Sequence, residues 1–455
     1  MTRKFIQHLQ DINWFSRSLW IKVHLILALS VGLVFALLGF TGSILVYREE
    51  LDELLNPQLV IEEQQGDYQS LDQIMAAVRA AHPDRHGEWT LEMPNSKHSA
   101  MTAWFDKPRE TYFERYAPLM VSVNPYTAEV ITSRFWGQTL TTWLLDLHTH
   151  LQFDQGGWKI VGYCSLLLIV SLGSGLYLWW PGLKNLQSAI QIKTRLGWVR
   201  FLFDLHRLIG LLSATALLLL AITGFNLSFP SILEDLFGAT GMAHGETGRV
   251  ITSTANPNDH PTVLEAAEFI ARGPFANADL RRVTTPDGNS GIYRINLRQK
   301  GEINLRHPYT TVWVDRWSGQ IKEVRNPAKF GTGEILITWI WPLHTGEALG
   351  SAGRFCWFLA GQSLFFLYVS GLVRWLHKKG KIRDRNVNFL PSKTTQTKIK
   401  KSTYQLLLAI DEWMLAGVEK ATPYVKKAVV ILSKWLDQGL IYYQSYQSYQ
   451  SRSKK

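Results

Sequence analysis

Four stretches of this chain carry no Lys, Arg, Asp or Glu: residues 23–47, 160–183, 208–233 and 355–373. Crossing a hydrocarbon core takes about 20 mostly apolar residues, so each stretch can span a membrane, and a soluble tandem of domains is excluded. The bulk figure of 46% apolar residues hides this segregation, although 18 Trp hint at it. The first run is too long for a removable signal peptide and lacks a small-residue cleavage site, which makes it a retained anchor. Arg3, Lys4, Arg17 and Lys22 precede the first run, Lys184, Lys193, Arg195 and Arg200 fill the loop after the second, and Lys378, Lys379, Lys381, Arg383 and Arg385 follow the fourth. Lys and Arg near span ends stay in the cytoplasm, so both chain ends are expected inside and two large loops outside. Much of the net charge of +11 sits in these flanks and the tail, where it reads as topology and contact with anionic membrane lipid, with no nucleic acid as partner.

The expected divisions are a cytoplasmic N-terminus (1–22), spans at 23–47, 158–183, 204–233 and 354–377, a cytoplasmic loop (184–203), outside domains at 48–138 and 234–332, interfacial helix-and-loop segments at 139–157 and 333–353, and a basic tail with amphipathic helices (378–455). Two of these stretches read like one written twice. His24, Gly42 and the sequence Leu51-Asp52-Glu53-Leu54 reappear as His206, Gly224 and Leu233-Glu234-Asp235-Leu236. Leu147-His148-Thr149 likewise returns as Leu343-His344-Thr345, and Ser174-Gly175-Leu176 as Ser370-Gly371-Leu372. The outside loops share an order as well: a helix (71–81 and 263–271), then strands (101–105 and 120–123 in the first, 291–297 in the second), then a hairpin. Its pattern is Val-x-Val-Asn/Asp-x-x-Thr/Ser, at Val121-Ser122-Val123-Asn124 and Val312-Trp313-Val314-Asp315. Aromatic helical stretches at 139–150 and 334–344 precede spans two and four and suit the membrane interface through Trp143, Trp339 and Trp341, with Pro342 ending the second. Cys164 and Cys356 fall inside spans, without disulfide or metal spacing, and read as packing residues. The Tyr-Gln-Ser repeats near the end are low complexity and are expected to be disordered.

The two hairpins, the repeated Leu-His-Thr and the Ser-Gly-Leu-x-x-Trp endings at Ser174 to Trp179 and Ser370 to Trp375 carry a resemblance, over residues 20–375, to the PepSY-associated transmembrane (PepSY-TM) family. That resemblance implies a membrane α-helical fold: a four-helix transmembrane bundle from an internal duplication, with two small α+β PepSY-like periplasmic domains. It also implies a bacterial inner membrane protein of the kind that includes ferric-siderophore reductases carrying b-type haem.

The four matched histidines are the expected chemistry. His24 and His206 open spans one and three at the cytoplasmic depth, and His148 and His344 precede spans two and four at the outer depth. An ionisable group at membrane depth is costly and usually has a partner or a function. Two symmetry-related imidazoles at each depth can supply both axial ligands of a haem iron in a bundle core, which predicts two bis-histidine haem b groups. Structural hydrogen bonding at the interface is the alternative for each histidine. No Cys-x-x-Cys-His occurs, so covalent c-type attachment is excluded. His150, two residues from His148, is the competing outer ligand; Gly346 stands at its counterpart. Arg207 and Arg374 are candidates for the haem propionates, or else snorkel to lipid headgroups. Gly42, Gly175, Gly224 and Gly371 allow close approach of a flat macrocycle or of another helix. Trp179 and Trp180 read as an aromatic belt, His377 as interfacial, and His82, His86, His98, His244, His260 and His307 as surface residues.

Neither a Gly-x-Gly-x-x-Gly between strand and helix nor a phosphate-binding Gly-x-x-x-x-Gly-Lys occurs, so electrons must come from a separate donor, a quinol or a cytoplasmic reductase. The function that the resemblance implies is reduction of a periplasmic ferric siderophore for iron release. The rivals are a non-redox PepSY module that binds peptide or protease, and a siderophore or metal permease.

Overall fold

The computed structural model describes residues 16–62, 66–114, 116–193, 197–239, 250–255 and 259–384. The tail readings and His244 lie outside these residues. Among the described residues, 193, 197–201 and 384 form a unit of their own, in which Asp384 accepts the Val199 N–H (3.2 Å). The rest of the chain forms the other unit, which carries the spans and the sheet.

The sequence predicts one unbroken first span over 23–47, but the chain forms α1 (Arg17–Ser30) and α2 (Gly32–Leu45), bent by 62° at the break. Ser30 Oγ donates back to the Ile26 carbonyl (2.7 Å), a bond that bends helices, and Gly32 is a weak helix former. Serine and glycine together are a common origin of kinks. Next come α3 (Arg48–Leu55) and α4 (Leu71–Ala81), the latter opened by a capping box of Ser70 and Gln73. Strands β1 (Thr90–Glu92), β2 (Met101–Phe105), β3 (Leu119–Val123) and β4 (Val130–Phe135) lead to α5 (Leu140–His150) and α6 (Asp154–Trp179). Span two stops at Trp179 rather than 183, because Pro181 follows and Gly182 turns the chain at φ 80°. Span three, expected over 204–233, is α7 (Trp198–Ser228), after which Pro230 starts the separate helix α8 (Pro230–Phe237).

The second half continues with α9 (Leu264–Arg272), β5 (Asp279–Thr284), β6 (Ile292–Arg298), β7 (Thr311–Asp315), β8 (Ile321–Arg325), α10 (Thr332–Thr345) and α11 (Gly350–Lys378). Pro342 does not end its helix as predicted; it is buried inside α10, whose last turn is held by the Trp357 Nε1–H on the Leu343 carbonyl (2.7 Å). Among the described residues, three helical segments are long and apolar enough to cross a membrane, Gly156–Trp179, Trp198–Ser228 and Glu347–Lys378, and the bent α1–α2 pair makes a fourth if it is one span.

Two separate outside domains were the expectation; the chain instead builds one eight-stranded antiparallel sheet in the order β4-β3-β2-β1-β5-β6-β7-β8. Two small sheets would each leave an open edge, at β1 and at β5, and unpaired edges are a liability. Pairing Leu91 with Val283 and Glu92 with Arg282 removes both. One core then serves both halves: Ile74 and Val78 of α4, Leu264 and Ala267 of α9, and Leu91, Val121, Ile295 and Val314 of the strands share a single buried cluster. The sequence pattern at the two hairpins is an Asx turn. Asn124 Oδ1 accepts the Tyr126 N–H, and Asp315 Oδ1 accepts those of Trp317 and Ser318, all at 2.9 Å. Ala128 (φ 58°) takes the left-handed position that Gly319 (φ 68°) takes in the second hairpin.

Helices α2 and α11 pack through glycine. A Cβ on Gly361 would lie 2.5 Å from the Gly39 carbonyl oxygen, and Gln362 Nε2 donates to Ser43 Oγ at 2.6 Å. Gly361→Leu should therefore cost roughly 1–3 kcal/mol through overpacking and lower the thermal midpoint in detergent. Gly173→Ala, where an added Cβ meets nothing within 4 Å, should leave the midpoint unchanged or slightly raised. Equal midpoints for the two variants would refute the close α2–α11 contact.

Candidate functional site

Each of the four histidines projects from one helix onto a hydroxyl-glycine dipeptide of another. His148 of α5 places Nδ1 2.9 Å from the Leu38 carbonyl and 3.3 Å from Thr41 Oγ1 of α2. His344 of α10 places Nδ1 2.9 Å from Thr223 Oγ1 of α7. His24 of α1 has Nδ1 2.9 Å from Ser174 Oγ and 3.2 Å from the Ser171 carbonyl of α6. His206 of α7 has Nδ1 2.9 Å from Ser370 Oγ of α11.

These contacts settle the proton positions. The four hydroxyls donate to carbonyls of their own helices: Thr41 to Leu37 (2.8 Å), Thr223 to Leu219 (2.8 Å), Ser174 to Ser171 (2.7 Å) and Ser370 to Phe366 (2.7 Å). A hydroxyl has one hydrogen, so each oxygen is left as an acceptor and each imidazole must donate from Nδ1. In a neutral ring, Nε2 then keeps its lone pair, the arrangement that a partner on Nδ1 imposes on metal-binding histidines.

The glycine beside each hydroxyl makes room for the ring. Built on Gly42, Gly224, Gly175 and Gly371, a Cβ would stand 2.6, 3.2, 3.3 and 3.5 Å from Cε1 of His148, His344, His24 and His206 respectively. What these glycines admit is therefore an imidazole, a neighbour that the two sequence readings, a flat macrocycle or another helix, did not name.

His148 and His344 face each other with ring centres 6.2 Å apart and planes at 43°. His24 and His206 lie close enough to interact electrostatically. His150 lines the same cavity, and its Nδ1 lies 3.0 Å from Thr149 Oγ1. Its backbone has another task, since its carbonyl crosses Gly157 so closely that a Cβ there would be 1.6 Å away. Gly346 crosses Gly353 in the same way, at 2.5 Å. The corner between α5 and α6 holds Leu151, Gln152 and Asp154 at φ of 52°, 61° and 50°, a strain of roughly 1–3 kcal/mol each. This corner turns α5 back and sets His148 into the bundle.

The sheet-side pair lines a cavity of about 1840 Å³ that runs from the spanning helices to the polar face of the sheet. His307, predicted at the surface, lines it too and meets Trp341 edge to face at 5.1 Å, because the segment after β6 folds inward over α10. His86, His98 and His260 are exposed as predicted, His98 bonding to the Ile61 carbonyl, while the half-buried His82 bonds to Ser133. His377 bonds to the Ile382 carbonyl at 3.0 Å. Arg207 engages the Ala189 carbonyl (3.2 Å) and Asp204 (3.8 Å), and Arg374 lies over the Phe203 ring at 4.9 Å.

Two cavity groups escaped the sequence reading. Arg48 lies 5.6 Å from the centre of the Trp136 ring, and burial together with Arg306 lowers its pKa to about 10. Asp146, two residues before His148, accepts the Trp136 indole N–H at 2.8 Å, yet burial raises its pKa to about 6. Nothing in the isolated sequence signals either, since both depend on Trp136 arriving from the end of β4.

Apolar spanning helices whose interior is furnished with anchored imidazole pairs, beneath an antiparallel sheet, define a membrane protein with a polar site built into its bundle. The chain belongs to the PepSY_TM family, described as the PepSY-associated TM region, whose model matches residues 21–378. No curated protein matches it.

Because the folded state holds the Asp146 proton more tightly than the unfolded chain does, its contribution to stability is present at low pH and is lost as pH rises from about 4 to about 6. Infrared difference spectra should show a protonated carboxyl band that titrates near pH 6 and is missing in Asp146→Asn. The variant should also flatten the fall in thermal midpoint over that interval. A band already gone at pH 4.5 would refute the assignment.

Proposed function

We propose that this chain is a dihaem b reductase of the bacterial inner membrane, with both termini cytoplasmic, built by internal duplication and carrying PepSY-like halves joined over its periplasmic side. In this reading it takes electrons from a separate donor, a quinol or a cytoplasmic reductase, and reduces a ferric siderophore held under the sheet. The observation that carries it is the fourfold use of one device: an imidazole tied at Nδ1, open at Nε2 and seated on glycine.

The residues suit the group. A metal–imidazole bond of ~2 Å, with ~1 Å more to each ring centre, puts two rings that share one ion about 6 Å apart, and His148 and His344 stand at 6.2 Å. Two donors per level leave the remaining coordination positions to a macrocycle. His148 with His344 would hold one haem and His24 with His206 the other, and a haem iron that cycles between Fe(III) and Fe(II) supplies a one-electron relay. The protein's part is to fix ring orientation and basicity through the Thr and Ser oxygens, and to keep water out with the surrounding apolar helices. Reduction favours release, because the hard oxygen donors typical of siderophores hold Fe(III) far better than Fe(II).

Purified protein from haem-sufficient cells should show low-spin b-type bands in a dithionite-reduced minus oxidised spectrum. His344→Ala and His206→Ala should each remove about half of the signal. His148→Ala should match His344→Ala, whereas His150→Ala should retain both haems. Gly42→Leu should mimic His148→Ala, because the added side chain occupies the ring's place. Absence of the bands in the wild type would overturn the reading in favour of a non-redox PepSY module or a permease.

A further inference from the structure

The two halves treat the same loop in opposite ways. Counting back from the matched Val121 and Val312, Phe113 of the β2–β3 loop corresponds to Asn304 of the β6–β7 loop. Asn304 is 2% exposed and accepts the His307 N–H at 2.8 Å. Glu302 ties the same loop inward by accepting the Tyr309 N–H (2.7 Å) and the Thr310 hydroxyl (2.6 Å). In the first half, by contrast, Phe113 is 97% exposed and Tyr112 63%, their rings meeting edge to face at 5.7 Å.

The tip that carries these rings is held firmly at its base. Thr111 is buried and donates its hydroxyl to the Ala117 carbonyl (2.5 Å), and the Glu114 N–H bonds to the Thr111 carbonyl (3.0 Å). Glu110 pairs with Arg85. Tyr116 stands edge to face on Trp136 at 5.0 Å, and the Trp136 indole N–H is bonded in turn to Asp146 of α5. Two apolar rings projecting side by side from a fixed base mark a surface that is covered by something.

The strand register says what lies there. Leu119 pairs with both Phe105 and Phe135, so the β2–β3 loop leaves the sheet at the same end as the chain that runs from β4 into α5. Helix α5 is the aromatic stretch that suits the membrane interface, and its Leu140 and Trp143 are exposed. Phe153 is exposed too, at the corner where α5 gives way to the spanning helix α6. Aromatic side chains concentrate at the headgroup level of a bilayer. The Asx hairpins, with Gln320 exposed, occupy the opposite end of the sheet.

We infer that the Tyr112–Phe113 tip is a membrane anchor, seated among the phospholipid headgroups of the leaflet beside the sheet and continuing the aromatic rim of α5. Phe113 also lines the cavity, so seating it holds that side of the cavity against the bilayer surface. The second half has no such anchor in its β6–β7 loop, where the corresponding residue is turned inward. This inference is independent of the redox reading.

A polarity-sensitive nitrobenzoxadiazole label on Glu114→Cys reports on the tip while leaving both rings in place. The full-length chain, with Cys164→Ala and Cys356→Ala as background, is labelled and reconstituted in phosphatidylcholine vesicles. Its emission should be blue-shifted against the same label on Gln320→Cys, and should lose most of its intensity when headgroup-nitroxide lipid is included. The Gln320→Cys label should keep its intensity. Replacing the rings together, Tyr112→Ser with Phe113→Ser, should red-shift the Glu114→Cys label to the Gln320→Cys value and relieve the quenching, with an unchanged thermal midpoint as the check on folding. Equal emission from the two positions, or quenching at position 114 that survives the double serine variant, overturns the inference. Self-quenching between labels on different chains would show that a second copy covers the tip, and overturns it as well.

Discussion

The bond from each histidine Nδ1 to a serine or threonine oxygen is the constraint around which the bundle is arranged. Each hydroxyl spends its hydrogen on its own helix, so the imidazole can only donate, and the ring's remaining nitrogen faces away with a lone pair. A neighbouring glycine then decides how near the ring comes. The same bonds tie α1 to α6, α2 to α5, α7 to α10 and α7 to α11, so the polar interior helps to hold together helices that gain little from hydrophobic burial in lipid.

The sheet adds a second constraint. Its apolar face packs on α4 and α9, and its polar face looks onto the cavity that the sheet-side histidines line. A half-buried antiparallel sheet normally turns its polar face to bulk water. Here that face closes a chamber, so guanidinium groups that would be solvated elsewhere stand over a confined space. In the proposed function, this is where cargo and relay meet.

Much of this was legible in the sequence for physical reasons. Residues 71–81 and 101–105 match α4 and β2 to the residue. The histidines and their hydroxyl-glycine partners stood out through repetition at common spacings. What escaped depended on contacts between distant segments. Strand β1 is three residues long and acquires its identity by pairing with β5, so joining the halves into one sheet had no local signal. The break at Val31 arises from a serine back-bond that hydropathy does not register. Alternation in β6 assigns Arg294 and Arg298 to one face, but what lies opposite that face is a matter of tertiary folding. His307 reads as a surface residue because it belongs to an outside domain, and it becomes a wall residue only where its loop closes over Trp341.

The fusion of both halves at the junction of β1 and β5 has a mechanical corollary. His148 comes from one half and His344 from the other, as do His24 and His206, so the gap within each couple is also a gap between halves. A pair of independent modules would let that gap breathe with every tilt of one against its twin. A shared strand pairing acts instead as a rigid brace, which turns the spacing of the imidazoles into a built dimension of the molecule.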